Sequence, residues 1–176
     1  MKRLIKALAL SAMSMMLVCV TVNAQSRNKV RKLEYNSQYN YEVATLAVGV
    51  DGTKLVKVWG YGKTAEDAVR HAKELGVACA IFRGFPAGSN GSAAPTPAIV
   101  TDANAATTHE AYFVKFFEPG GKYLQYVNLS TDGVTTDRVK VNKKTYKVGV
   151  EVSIAYEDLR KEMEREGIAR KLNSGF

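Results

Sequence analysis

The chain has 176 residues, 25 basic against 17 acidic side chains and a net charge of +8. It carries two cysteines and two histidines; the first cysteine lies in the amino-terminal signal described next, and one cysteine with two histidines is too few for a disulfide or a convincing zinc site. The charges are spread along the chain rather than gathered in one patch, which argues against a nucleic-acid partner.

The first residues read as an export signal. Lys2, Arg3 and Lys6 precede an apolar run from Ala7 to Val20, broken only by Ser11 and Ser14. Val22-Asn23-Ala24 suits cleavage between Ala24 and Gln25. The run is too short to span a bilayer, which needs about 20 apolar residues. A lipid anchor at Cys19 is the competing reading. A lipobox wants a small residue before the cysteine, and Val18 stands there, so the expectation is cleavage without lipidation. Removing residues 1–24 leaves 152 residues, a net charge of +5 and a single cysteine, Cys79. No intramolecular disulfide is then available, and the fold must rest on burial. The implied location is exported, in the periplasm or at the outer membrane.

Residues 25–40 form a polar lead-in, and 41–172 a single domain. Tyr41–Val50 and Thr53–Trp59 are strand-like runs joined by Asp51-Gly52, a strong hairpin signal. In the second run Leu55 and Lys57 share one face and Val56 and Val58 the other. Thr64 to Leu75 predicts a helix. Thr64 caps it, Glu66 and Asp67 fill its first turn, and Ala65, Ala68, Val69, Ala72 and Leu75 make a small apolar face. Gly76 is placed as its C-terminal stop, and Val77 to Phe82 as a short buried strand.

Gly84 to Thr108 is rich in Gly, Pro, Ser, Ala and Thr. It is expected to be a long flexible loop with little to bury. His109 to Phe117 predicts a short aromatic helix, ended by Glu118-Pro-Gly-Gly121. Tyr123 to Leu129 reads as a strand. Val134–Val141 and Thr145–Ile154 read as a second hairpin turning at Asn142-Lys-Lys144. In the latter run Tyr146, Val148, Val150, Val152 and Ile154 alternate with Lys147, Gly149, Glu151 and Ser153, the mark of a strand with one buried face. Glu157 to Glu166 predicts a charged helix stopped by Gly167. The whole predicts an α+β domain: an antiparallel or mixed sheet built from two hairpins, with two main helices packed on one face.

The motif that most invites a chemical reading is Gly60-Tyr-Gly-Lys-Thr64. A phosphate-wrapping loop of the Walker type needs a glycine at 57, where the chain has lysine. Gly60-Tyr-Gly62-Lys-Thr-Ala65 fits a permissive dinucleotide fingerprint. It follows a hairpin arm, however, and Arg83 stands where an acidic residue should close the next strand. Two glycines that end the strand and turn the chain, followed by a helix cap, explain the same residues. No nucleotide and no cofactor is therefore expected. Asp67 and His71, spaced i, i+4, together with Cys79, suggest a thiol hydrolase, but Cys79 lies among small apolar neighbours and should be buried. Paired carboxylates for glycoside hydrolysis have no local motif here. No catalytic or metal-binding residue is assigned. Trp59, Tyr61, Arg83 and Phe85 are marked as a partner surface.

The run Gly60-Tyr-Gly62-Lys-Thr-Ala-Glu-Asp67-Ala68-Val-Arg-His-Ala72-Lys-Glu-Leu-Gly76 resembles the pattern G-x-G-x-(S/T)-x-x-(D/E)-A-x-x-x-A. That pattern occurs in small bacterial envelope lipoproteins and in the amino-terminal domain of flagellar assembly protein T. Tyr146-Lys-Val-Gly-Val-Glu-Val-Ser-Ile-Ala-Tyr-Glu-Asp-Leu159 resembles their closing strand and helix. Together the two stretches cover about 30 residues, and the resemblance carries over no catalytic residue. It implies a non-enzymatic envelope accessory or assembly protein that binds another envelope protein. An exported hydrolase and a carbohydrate-binding module using Trp59 and Tyr61 are the alternatives. An anionic membrane surface is a further partner that weak electrostatics allows.

Overall fold

The computed structural model describes residues 42–130, 137–142 and 145–171. The expected signal with Cys19, the Ala24–Gln25 junction, the lead-in 25–40, the start of the later hairpin at Val134 and its turn residues Lys143 and Lys144 lie outside the described residues.

In chain order the elements are β1 (Val43–Val48), β2 (Lys54–Gly62), α1 (Ala65–Phe82), α2 (Ala105–Thr108), α3 (Glu110–Phe116), β3 (Val127–Leu129), β4 (Asp137–Asn142), β5 (Thr145–Ile154) and α4 (Tyr156–Arg165). The α+β expectation holds, and every described strand pairing is antiparallel. The sheet order is β1-β2-β5-β3, and β4 also pairs with β5. Thus β3 and β4 share one side of β5, against its last and first halves respectively.

The first hairpin turns where the sequence places it. Asp51 (φ 59°, ψ 28°) and Gly52 (φ 74°) are both left-handed, the backbone that matches the twist of paired strands. β2 then runs beside β5 in unbroken register from Lys54↔Ile154 to Gly62↔Tyr146. Period-two alternation divides both strands cleanly. Val56, Val58 and Gly60 of β2 stand opposite Val152, Val150 and Val148 of β5, all buried beneath α1.

Gly60 and Gly62 do not turn the chain, contrary to expectation; both lie inside β2. A Cβ on Gly60 would sit 2.0 Å from the Ala68 carbonyl oxygen and 2.6 Å from the Ala72 nitrogen. One on Gly62 would sit 2.4 Å from the Ala68 nitrogen. The glycines therefore let helix backbone approach strand backbone, which any side chain would prevent. Ala68 and Ala72, both fully buried, supply the matching small face of α1.

α1 begins as the sequence predicts, with the Thr64 hydroxyl accepting from the Asp67 N–H at 3.1 Å. It does not stop at Gly76. The helix continues to Phe82, so the strand expected at Val77–Phe82 is helical. Gly76 faces the sheet: a Cβ there would meet the tips of Val58 and Ile154 at 3.4 Å. Val77 to Ile81 is buried at every position, and a short run that is apolar throughout carries no period to separate helix from strand. The helix ends at Gly84 (φ 79°), whose N–H reaches back to the Cys79 carbonyl at 2.7 Å.

The 84–108 stretch buries more than its composition suggests: Phe85, Ala93, Thr96, Ile99, Val100, Ala105 and Ala106 are all buried. Phe85 and Thr96 form an isolated two-way bridge. The amides of Ile99 and Val100 donate to the carbonyls of Ala80 and Ile81 at 3.1 and 2.9 Å. Those carbonyls belong to the last turn of α1, where helix acceptors lack intrahelical partners. The stretch thus serves as the C-terminal cap of the main helix.

The expected strand Tyr123–Leu129 divides into a 3-10 turn at Lys122–Tyr126 and the short β3. Tyr123 and Tyr126 are both buried, and a spacing of three puts them on one side of a 3-10 turn. They pack with Phe113, Phe116 and Phe117 of the aromatic helix. α4 follows β5 directly, buries Leu159 and Met163, and ends before Gly167 (φ 69°).

Candidate functional site

The same alternation that buries Val56, Val58 and Gly60 sends Lys57, Trp59 and Tyr61 to the opposite face. Cross-strand partners share a face. Lys57 therefore stands beside Glu151, Trp59 beside Gly149 and Tyr61 beside Lys147. On the far side of β5, Asp137 is opposite Gly149 and Val139 is opposite Lys147. This face has two aromatic rings at its centre and lysines between and around them.

Gly149 makes room for the larger ring. A Cβ at this position would lie 3.0 Å from Trp59 Nε1 and 3.2 Å from Lys57 Cε. The Lys57 ammonium is 5.3 Å from the Trp59 ring centre, and that of Lys147 is 6.0 Å from Trp59 and 5.7 Å from Tyr61. These separations are within the range of cation–π attraction. Each lysine also has a carboxylate, Lys57 with Asp137 and Lys147 with Glu42, the latter at 2.5 Å. The Tyr61 hydroxyl donates to Glu42 at 3.1 Å. The bond from Lys147 holds the Glu42 carboxyl below its ordinary pKa, and the same bond raises the Lys147 ammonium.

β4 continues this face to the margin of the sheet. Residues 137–141 are all exposed, with Val139 and Val141 at 58% and 53%. On its other face Arg138 and Lys140 lie over the Tyr146 ring, at 4.6 and 5.8 Å from its centre.

Of the four residues marked from the sequence as a partner surface, Trp59 and Tyr61 belong to this face. Arg83 is exposed at the far end of α1, apart from them. Phe85 is not a surface residue: it is 3% exposed and joins the hydrophobic core. Its place beside the helix-ending Gly84 carries it inward. Sequence reasoning missed Lys57, Lys147, Val139, Arg138 and Lys140. The alternation it found in β5 already put Lys147 on the wet face, but the neighbours across the sheet depend on register.

The catalytic candidates are not assembled. Cys79 is buried, its thiol donates to the Gly84 carbonyl at 3.1 Å, and burial pushes its pKa up to about 12. At neutral pH it is a protonated thiol, not a nucleophile. His71 lies eight residues earlier on the same helix, an axial rise of about 12 Å, so the two do not form a pair. The His71 Nδ1 donates to the Tyr61 carbonyl at 2.6 Å, leaving Nε2 to accept from Arg70 at 3.0 Å. At Gly60 and Gly62 the space that a phosphate would need is filled by the backbone of residues 67–72.

A second feature lies elsewhere. A cavity of about 650 Å³ is walled by Tyr112, Lys115, Phe116, Lys122, Leu124 and Glu166. Beside it the buried Glu162 carboxylate accepts from the Tyr112 hydroxyl at 3.1 Å, from Lys122 and from Arg165. Burial raises the Glu162 pKa, but the bonds from Lys122, Tyr126 and Tyr112 outweigh it and hold the group below its ordinary value. Burial and then the Glu162 charge push Tyr112 well above the ordinary phenol range and Tyr126 up to about 12. A carboxylate so held is an anchor for the tyrosines and not a proton donor at neutral pH.

Among the described residues, no group of three or more His, Cys, Asp and Glu side chains is placed to hold a metal ion. Among the same residues, no helix is long and apolar enough to cross a membrane. In comparisons with known proteins, no family model, curated protein or solved structure matches the chain.

Proposed function

We propose that this chain is an exported, non-enzymatic accessory protein of a bacterial envelope, and that it binds another envelope protein through the outer face and β4 margin of its sheet. The export signal read from residues 1–24 and the resemblance to envelope accessory domains supply the setting. One structural observation carries the binding reading. Trp59 and Tyr61 form a continuous face with a β4 strand whose Val139 and Val141 are more than half exposed. Aromatic rings with polar rims are typical of protein contact surfaces, and exposed apolar side chains on an outer strand mark a place where another chain docks.

The same geometry favours a protein over a sugar. The Trp59 ring carries the Lys57 and Lys147 ammoniums, and each is paired with a carboxylate of this chain. Stacking a sugar on that ring means displacing them. A protein partner needs only to cover the charged rim.

Chemical crosslinking in intact envelopes, followed by pull-down of the tagged chain, tests the reading. The expected result is a discrete envelope protein, captured by wild type and lost on Trp59→Ala, with the recovered chain beginning at Gln25. Capture of nothing, or capture that ignores Trp59, would remove it.

A further inference from the structure

Among the described residues, β4 lies at a margin of the sheet. Among the described residues β4 pairs only with β5, so no described strand occupies its outward row of N–H and C=O groups. Natural edges are protected by charges and by bulges. β4 has both, a register shift between Lys140 and Asn142 and the cations Arg138 and Lys140. It also shows two valines to solvent. The edge thus combines protective features with exposed apolar side chains.

The charges on and beside it differ in their partners. Lys57 and Lys147, inside the sheet, each have a carboxylate partner. Arg138 and Lys140 lie on the Tyr146 ring, and among the described residues no carboxylate pairs with either. Both point to the same face of β4, since they stand opposite Val148 and Tyr146, whereas Val139 stands opposite Lys147 on the face of Trp59 and Tyr61. We infer that β4 accepts, as an added strand, an extended segment of the partner whose side chains alternate between carboxylate and apolar. The carboxylates fall opposite Arg138 and Lys140, and the apolar side chains fall beside Val139 on the aromatic face. The main-chain bonds supply adhesion and the alternating side chains supply selection. This deepens the partner-binding reading and rests on it.

A second copy of this chain does not fit the same edge. Antiparallel pairing of β4 with its own copy across a two-fold axis brings Arg138 and Lys140 against their equivalents. Like charges directly opposite one another destabilise a strand pair. The edge is thereby protected from self-association while remaining open to an acidic strand.

The test uses the full chain and two fluorescein-labelled octapeptides, one alternating Glu and Val, the other Lys and Val. Fluorescence anisotropy measures binding, and amide exchange by NMR locates it. The Glu-Val peptide should bind roughly tenfold more tightly than the Lys-Val peptide, as expected when two like-charge pairs become two opposite ones. Binding should weaken as salt is raised, with new exchange protection at residues 137–142. The double variant R138E/K140E, changed only at exposed positions, should reverse the preference. Equal binding of the two peptides, a preference that survives the double variant, or protection confined to another element would each overturn the inference. So would a dimer in sedimentation equilibrium that Val139→Asp dissolves. If envelope crosslinking captures a Trp59-dependent partner while the peptides fail, strand addition falls alone. If the peptides bind as stated and no partner is captured, the functional reading falls and the selectivity of the edge stands.

Discussion

The two faces of β2 share one strand, one set of backbone hydrogen bonds and one twist, yet they do opposite work. Val56, Val58 and Gly60 are buried under α1, and Gly60 has no space beyond its own Cα. Lys57, Trp59 and Tyr61 are all part-exposed and are held by ring–cation contacts with Lys57 and Lys147 and by bonds to Asp137 and Glu42. One face is fixed by shape, where a single carbon atom is too many. The other is fixed by polar contacts that can rearrange around a partner. Rigidity on the first positions the groups on the second.

Glycine substitutions break this contrast most directly. Gly60→Ala drives a Cβ to 2.0 Å from the Ala68 carbonyl oxygen, a backbone atom that moves only with the helix. The expected cost is about 3 kcal/mol or more, read as a fall in the urea midpoint. Gly149→Ala on the other face meets only the Trp59 and Lys57 side chains, at 3.0 and 3.2 Å, and should cost under about 1 kcal/mol as they shift. Gly76→Ala finds ordinary contacts at 3.4 Å and removes a glycine from a helix interior. It should be neutral or stabilise by up to about 1 kcal/mol. Equal losses at Gly60 and Gly149 would show that the two faces are not differently built.

The Glu162 anchor gives the next largest effect. Glu162→Ala leaves Tyr112, Lys122 and Arg165 without their common acceptor. Because Lys122 and Arg165 are 39% and 63% exposed and can return to water, the expected loss is about 2 kcal/mol. The Glu162 pKa is lowered in the fold. Its contribution is therefore present above the unfolded carboxyl value of about 4.3 and is lost as pH falls below it. Wild type should lose stability as pH falls below about 4.3, and Glu162→Ala should show less of that acid limb.

A smaller effect reports burial at the end of α1. The Cys79 thiol is raised from 9.0 to about 12. Its contribution is complete below the unfolded value and is lost as pH rises above it. Between pH 9 and 10 that amounts to about 1 kcal/mol. Cys79→Ala should move the onset of alkaline destabilisation from about pH 9 to about pH 10, where Tyr112 and Tyr126 begin to contribute in the same direction. A thermal-melt series across this range checks it. An unchanged onset would mean that Cys79 meets water.

The sequence was most legible where a period or a cap was present. β5 alternates along its length, Asp51-Gly52 allows one kind of turn, and Thr64 caps α1 with its own side chain. It was least legible where the same residues serve two structures. Val77–Ile81 is apolar throughout, so helix and strand look alike. Gly60, Gly62 and Gly76 punctuate many sequences, but here they let elements approach, a role set by what lies across from them. The 84–108 stretch looked empty because Phe85 and the Ile99-Val100 pair are far apart in sequence and only come together in the core beside α1. The candidate surface was half legible for the same reason. Trp59 and Tyr61 show as an i, i+2 pair, whereas Val139 and Lys147 become their neighbours only through the register of β4 on β5.

Site-specific photo-crosslinking in the intact envelope compares the proposed docking edge with a distant surface in one experiment. A benzophenone side chain is placed at Val139 on β4 or at Lys161 on α4, whose side chain is 73% exposed. Strand docking at β4 predicts one discrete adduct with another envelope protein from position 139 and none from position 161. An adduct from 161 with none from 139, or none from either, would contradict it.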